Sequence, residues 1–277
     1  MTDPAQPAPT PPKRVRVHHL RAAKERGERI TMLTAYDAPT ARIWDEAGTD
    51  VLLVGDSVGD NMLGMSTTIP VTVDQMVHHA RAVSGAVRRA LVVVDMPFGS
   101  YEASPLQAHA NAVRLMKEGG GHAVKLEGGR RVRDHVKLLV DSGIPVMGHV
   151  GFTPQSEMVL GGKRVQGRGD AAAERLSEDA LALQDAGAFA VVLEMVPAPL
   201  AARVTEVLEI PTIGIGAGPQ CDGQVLVWTD MVGLGDWSPR FAQRYAEVGS
   251  IMASAARAYN EDVRKGLFPR DEHSFTE

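Results

Sequence analysis

Short apolar runs recur along the chain without polar alternation, each followed by a longer stretch in which apolar residues return every three or four positions. The runs are ITMLT (Ile30 to Thr34), VLLV (Val51 to Val54), LVVVD (Leu91 to Asp95) and AVKL (Ala123 to Leu126). PVMGH (Pro145 to His149), AVVLE (Ala190 to Glu194), TIGI (Thr212 to Ile215) and QVLVW (Gln224 to Trp228) complete the set. Apolarity without alternation marks strands covered on both faces, as in parallel sheets. The longer stretches read as helices with recognisable ends. Ser104 is a natural N-cap with Pro105 behind it at the first helical position, and Gly119 closes that helix. Gly48 ends APTARIWDEAG as a C-terminal capping glycine does. Further helices are predicted from Val73 to Val83, over RDHVKLLVDSG, AAAERLSEDALALQDAG and APLAARVTEVLE, and from Pro239 to Lys265. Parallel neighbours need crossovers of about a dozen residues or more. Eight strand units, most followed by a helix, predict an α/β fold of the (βα)8 TIM-barrel type rather than an open doubly wound sheet. The pattern thins between runs seven and eight, where GAGPQCDG leaves little room for a helix.

A chain of 277 residues suits one such barrel, for which about 250 is typical. Residues 16–277 are read as that single domain. The N-terminal MTDPAQPAPTPPKRVRV lacks the apolar core of a signal peptide, and residues 1–15 read as a mobile tail. The composition, 44% hydrophobic against 23% charged, excludes disorder of the chain as a whole. A formal net charge of -5 with both signs interspersed offers no basic face to nucleic acid and no polybasic segment to anionic lipid. No apolar run approaches the ~18 residues a membrane span requires. The lone cysteine, Cys221, can form no internal disulfide, which fits a reducing cytoplasm. The expected partner is a small molecule.

In barrels of this kind the active site is built at the C-terminal ends of the strands. Those ends carry Thr34 with Asp37, Asp56 with Ser57, Asp95, Lys125 with Glu127, His149, Glu194, and the glycines Gly214, Gly216 and Gly218. One aspartate after a strand is as readily an Asx turn or a helix N-cap. A whole ring of ionisable groups at one mouth is not explained that way. Crowded carboxylates call for a cation, and hard oxygen donors favour Mg²⁺ or Mn²⁺ over zinc. Asp56 and Asp95 form the natural metal pair, with Glu127 as a third ligand directly or through water. A 2-oxo acid would chelate such a cation through its carboxylate and ketone oxygens, with Lys125 and Ser57 holding the carboxylate. Glu194 would be the base that removes a proton α to the carbonyl. His149, taken alone, reads first as a hydrogen-bonded structural histidine and second as a catalytic group.

Other features receive less. His18, His19, His78 and His79 fall on predicted helix surface or tail and are given no role. GIGAG, Gly214 to Gly218, lacks the following helix and the distant acidic residue of a dinucleotide fingerprint. It reads as tight backbone packing, or a close approach to a ligand carboxylate in the loop after strand seven. The glycine-rich stretch from Phe152 to Asp170 has no periodicity and reads as a lid or second-substrate loop.

Several spaced motifs together carry a resemblance. They are GDSVG (Gly55 to Gly59), TTIPVTVD (Thr67 to Asp74), VDMPFGSY (Val94 to Tyr101) and VKLEGG (Val124 to Gly129). GHVGFTPQS (Gly148 to Ser156), VQGRG (Val165 to Gly169), LEMVP (Leu193 to Pro197), IGIGAG (Ile213 to Gly218) and the terminal EHSF (Glu272 to Phe275) follow in order. From about residue 15 to this terminus the chain resembles the ketopantoate hydroxymethyltransferase family. The resemblance implies a barrel of the phosphoenolpyruvate/pyruvate superfamily. It also implies Mg²⁺-dependent transfer of a one-carbon unit from 5,10-methylenetetrahydrofolate to 3-methyl-2-oxobutanoate, giving 2-dehydropantoate on the route to pantothenate and coenzyme A. By motif, Asp56 and Asp95 match metal ligands, Glu127 the acid beside the metal, Ser57 and Lys125 substrate-binding positions, and Glu194 the proton acceptor. His149 falls in a family motif as well. A large homo-oligomer, a decamer, is implied by the family and not by the residues. Two other readings use the same residues: a Mg²⁺-dependent C–C lyase or mutase of the same superfamily, and a non-catalytic ligand-binding barrel. Such lyases commonly carry a reactive cysteine in a lid, whereas Cys221 lies in the loop before strand eight. A binding barrel has no need of Lys125, Glu127 and Glu194 together.

Overall fold

The computed structural model describes residues 14–275. Eight parallel strands close into a barrel in chain order. They are β1 (Ile30–Thr34), β2 (Val51–Val54), β3 (Leu91–Asp95), β4 (Ala123–Glu127), β5 (Val146–Gly151), β6 (Ala190–Glu194), β7 (Thr212–Ile215) and β8 (Gly223–Leu226). Met32, Val51, Leu53, Val93, Ala123, Met147, Val192, Ile213 and Val225 belong to one buried interior cluster. The alternate residues Leu52, Val92, Val94, Val124 and Leu193 are as fully buried on the opposite face of the same strands. Burial on both faces is why the apolar runs show no alternation.

The helices Ala38–Glu46, Val73–Ser84, Pro105–Lys117, Arg133–Asp141, Asp170–Asp185 and Ala198–Val207 stand in the crossovers after β1 to β6. Their starts are chemically capped. Ser104 Oγ accepts the Gln107 amide at 3.2 Å, and Asp37 Oδ1 accepts that of Thr40 at 2.8 Å; each such cap is worth ~1 kcal/mol. Among the described residues no helix joins β7 to β8. Asp222, in the loop that replaces it, accepts from the Thr212 amide at 2.8 Å and from Lys24 Nζ at 2.9 Å.

Lys24 belongs to a helix, Val17–Arg26, that the hydrophobic pattern does not announce. Its one fully buried residue, Leu20, joins Val15 in the interior cluster with Ile30 and Leu91 at the strand starts. Of the tail read over residues 1–15, Arg14 and Val15 are among the described residues. Residues 1–13 lie outside the described residues, while Val15 is buried and its amide donates to Arg89 O at 2.8 Å.

Two expectations near the C-terminus are corrected. The eighth strand ends at Leu226, and Trp228 opens a short helix, Trp228–Met231. The terminal helix is Val248–Arg264 rather than a helix from Pro239, because the amides of Tyr245, Val248 and Gly249 are spent on the carbonyls of Met231, Val232 and Gly233. Helical i→i−4 bonding cannot begin until those donors are passed. The span 16–277, read from sequence as one domain, separates into two compact units, one ending at Val225 and one beginning at Leu226. Among the described residues no helix is long and apolar enough to cross a membrane.

Candidate active site

Side chains two apart on a strand share a face. The inward column therefore runs from Val93 to Asp95 on β3, from Ala123 through Lys125 to Glu127 on β4, from Met147 to His149 on β5, and from Val192 to Glu194 on β6. Strand register sets Asp95 beside Lys125 and Glu127 beside His149. Asp56, two residues past β2, is drawn to the same place by its own amide, which donates to Asp95 Oδ2 at 3.1 Å. A side chain at the intervening Gly55 would place its Cβ 2.7 Å from Ser57 Oγ, so the turn that carries Asp56 and Ser57 needs glycine there.

The resulting cluster is dense. Lys125 Nζ lies 3.0 Å from Asp95 Oδ1 and 3.3 Å from His149 Nδ1. The histidine ring bridges two acids, with Nδ1 at 3.5 Å from Glu127 Oε1 and Nε2 at 3.3 Å from Glu194 Oε2. Burial and the Lys125 cation both oppose a charge on that ring, yet Glu127 and Glu194 outweigh them and lift its pKa to about 9. For Lys125, too, burial works against the charge, and Asp95, Glu127 and Asp56 override it and raise its pKa. Asp56 moves the other way in effect. Burial first, then the Asp95 and Glu127 carboxylates, push its carboxyl well above the usual range. Glu194 is the open member of the set, its side chain 17% exposed against 2% for Glu127 and 3% for His149.

Asp56, Asp95, Lys125, Glu127, His149 and Glu194 come together in this cluster, with Ser57 next to Asp56 in the chain, whereas Asp37 serves as a helix N-cap. Ser57 Oγ is 2.8 Å from the hydroxyl of the buried Tyr36, whose carbonyl in turn meets His79 Nδ1 at 2.7 Å. His79 thus has a partner that its place on a predicted helix surface did not suggest. Gly214 within β7 and Gly218 after it pack tightly, as expected. A Cβ at Gly214 would meet Cys221 Sγ at 2.9 Å, and one at Gly218 would meet that of Ala198 at 2.4 Å.

Three residues here were not singled out in advance: Tyr36, Tyr101 and Gln155. Gln155 comes from the glycine-rich stretch after β5, in a short 3-10 turn, Pro154–Ser156, and is buried. Its Nε2 donates to Asp56 Oδ2 at 2.8 Å and to Met96 O at 3.0 Å, and its backbone amide donates to Glu127 Oε2 at 3.1 Å. The Tyr101 hydroxyl donates to Gln155 Oε1 at 2.6 Å. Tyr101 and Gln155 both lie inside motifs, VDMPFGSY and GHVGFTPQS, that carried the family resemblance; that was the available signal. The chain can enter this stretch because Gly151 sits at φ 98°, where a Cβ would stand 2.2 Å from Glu194 O. Just past the neighbouring strand β6, Met195 adopts φ 48°, uncommon for a non-glycine residue, held by its amide to Ile215 O at 2.8 Å and by the Gln166 amide on its carbonyl at 2.9 Å.

The donor set fits a hard divalent cation. Asp56, Asp95, Glu127 and Glu194 set four formal negative charges against two positive ones on Lys125 and His149, leaving two uncompensated in a buried site. Asp95 Oδ1 is buried and faces Lys125 Nζ at 3.0 Å. Among the described residues no three His, Cys, Asp or Glu side chains form a ready cage. A hard ion such as Mg²⁺ needs no preformed cage, since it takes one or two carboxylates and keeps waters or substrate oxygens in its remaining positions.

The ketopantoate hydroxymethyltransferase family model matches residues 14–271. The chain is 62% identical over 264 residues to a 3-methyl-2-oxobutanoate hydroxymethyltransferase of Saccharopolyspora erythraea, covering 95% of this chain and 90% of that one. To the protein of the same name from Leifsonia xyli subsp. xyli it is 58% identical over 270 residues, 97% of each. Among solved structures, phosphonopyruvate hydrolase in complex with oxalate and Mg²⁺ superposes with a TM-score of 0.60 at 12% identity, over 94% of this chain and 93% of that one. A 2,3-dimethylmalate lyase of the PEP mutase/isocitrate lyase superfamily gives 0.57 at 18% identity, over 94% and 92%. At those identities the likeness is one of fold alone, and it favours neither hydrolase nor lyase chemistry. The near full-length identity to the transferases is of a different order, and by it the chain belongs to the ketopantoate hydroxymethyltransferase family.

Proposed function

We propose that this barrel mouth transfers a hydroxymethyl group from 5,10-methylenetetrahydrofolate to 3-methyl-2-oxobutanoate, giving 2-dehydropantoate for pantothenate synthesis. The observation that carries the proposal is Glu194: a carboxylate at the open rim, steadied by His149 at 3.3 Å, beside a deeper pair of aspartates and a buried lysine. Asp56 and Asp95 would hold Mg²⁺, and Glu127, whose oxygens face Gln155 N and His149 Nδ1, would reach it through water. When bound, the cation supplies a Lewis acid that polarises the substrate ketone and acidifies the neighbouring C–H.

The chain's own residues supply the remaining chemistry. Lys125, kept charged by the surrounding acids, and the Ser57 hydroxyl, held by Tyr36, bind and orient the substrate carboxylate. Glu194 accepts the C3 proton at a carboxylate oxygen. Water adds to the folate-borne methylene and its C–N bonds break, releasing tetrahydrofolate and formaldehyde; the C3 carbanion, delocalised as the enolate, then attacks the formaldehyde carbon, and the carbonyl oxygen takes up a proton to become the new hydroxyl group on the C3 hydroxymethyl. His149, charged at neutral pH, holds Glu194 on one side and Glu127 on the other, so the base does not swing out of the mouth. The same reading carries a cytoplasmic homo-oligomer, a decamer, which sedimentation of the purified protein tests.

Proton NMR of 3-methyl-2-oxobutanoate in D₂O, with protein and Mg²⁺ and without folate, tests the first chemical step. Loss of the C3 proton that stops when a chelator is added is expected. Absence of exchange both before and after addition of tetrahydrofolate would remove the 2-oxo acid as substrate.

A further inference from the structure

The Gln155 side chain makes three polar contacts at the cluster and has no ionisable group of its own. The identity of each amide atom follows from its neighbours. The Tyr101 hydroxyl accepts the Glu127 amide at 3.2 Å, so its single proton is free for Gln155 Oε1, the nearer acceptor at 2.6 Å. That leaves Nε2 facing two acceptors, Asp56 Oδ2 at 2.8 Å and Met96 O at 3.0 Å. Turned over, the amide would set its oxygen against both and its NH₂ against the phenol. Burial raises the Tyr101 pKa, so the phenol remains a donor across the working pH range. A lysine or arginine in place of Gln155 would hold Asp56 as well but cancel the charge a cation requires. The amide holds it without doing so.

We propose that Tyr101 and Gln155 are a positioning pair for the cation site: the phenol locks the amide, and the amide takes Oδ2 of Asp56 so that Oδ1 is turned to the metal. The orientation of the Asp56 ligand is then set from the stretch after β5, 99 positions along the chain, and not by β2 alone. This inference rests on the reading of Asp56 and Asp95 as ligands. Groups that orient metal ligands typically change affinity by about 10–100-fold when removed.

The test is Mn²⁺ binding to the full chain, with no substrate, followed by electron paramagnetic resonance and alongside thermal melting. Gln155→Leu should weaken Mn²⁺ binding about 10–100-fold, and Tyr101→Phe should weaken it in the same direction but less. The double variant should be no weaker than Gln155→Leu, since the phenol acts only through the amide. In turnover, the Mg²⁺ activation constant should rise while kcat at saturating Mg²⁺ falls far less. A Tyr101→Phe protein that melts normally and binds Mn²⁺ like the unmodified chain would overturn the positioning role, even if Gln155→Leu failed to fold. Mn²⁺ binding unaffected by Asp56→Ala would instead overturn the ligand assignment, and this inference with it.

Discussion

The barrel interior holds two levels that share the same strands and the same inward face. On β3, β4 and β5 one step of two residues separates Val93 from Asp95, Ala123 from Lys125, and Met147 from His149. Below the step, every side chain removes apolar surface from water, at ~25 cal/mol per Å², and fills space against its neighbours. Above it, four carboxylates and two cations crowd into a buried volume, and burying charges costs free energy that pairing only partly returns. The lower level stabilises the barrel. The upper level destabilises it, in exchange for a site that recovers its balance when a divalent cation and an anionic substrate arrive. A substitution one step up or down the same column should therefore differ in the sign of its effect, and the two levels can be separated experimentally.

The largest effect is expected at the rim. Glu194→Gln keeps shape and hydrogen bonding but removes the base, and should lower turnover by about 10²–10⁴-fold while binding of the 2-oxo acid, followed by calorimetry, survives. Unchanged C3 exchange in this variant would take proton abstraction away from Glu194. Next comes the lower level. Ile213, fully buried in the interior cluster and level with Val192, should cost about 2–5 kcal/mol when replaced by alanine. Activity per folded molecule should be retained; a selective loss of kcat would show that the two levels are mechanically coupled. Smaller and of opposite sign is Asp56→Asn in chelator-treated protein. Its ionised form is disfavoured in the fold, so the neutral isostere should raise stability by about 0.5–2 kcal/mol, while the stabilisation that Mg²⁺ confers disappears. A lower melting temperature without Mg²⁺ would refute the claim that the upper level is strained by its own charge.

The two levels also differ in how far they could be read from the sequence. Strands buried on both faces leave continuous apolar runs, and all eight expected runs lie within a residue or two of the observed limits, because parallel strands covered on both sides, as β2, β3 and β4 are, bury four or five consecutive residues. The ionised ring was legible for the same reason: its members end those runs. Gln155 and Tyr101 were not, since an amide and a phenol in irregular segments follow no period and meet Asp56 and Glu127 only through the closure of the fold. The helix Val17–Arg26 was hidden because one leucine suffices to seat it. The start of the terminal helix depended on three amides bonding to carbonyls more than a dozen residues earlier, which local pattern does not contain.

The mildest test of the comparison is pH. His149 has its pKa lifted from its usual value near 6.5 to about 9 by Glu127 and Glu194 acting against burial. A group whose pKa is raised on folding contributes stability that is complete below the unfolded value and is lost as pH rises through the folded one. Chelator-treated protein should therefore lose melting temperature as pH climbs from about 6.5 to about 9, and the raised Asp56 carboxyl contributes with the same sign. His149→Gln should flatten that window, so the difference between the two curves isolates the ring from every surface charge they share. Saturating Mg²⁺ should remove the Asp56 share alone, because the ionised carboxylate is then the form that binds. Curves for the two proteins that stay parallel across the window would mean that the ring is neutral at pH 7, and that Glu194 is held by a hydrogen bond without an ion pair.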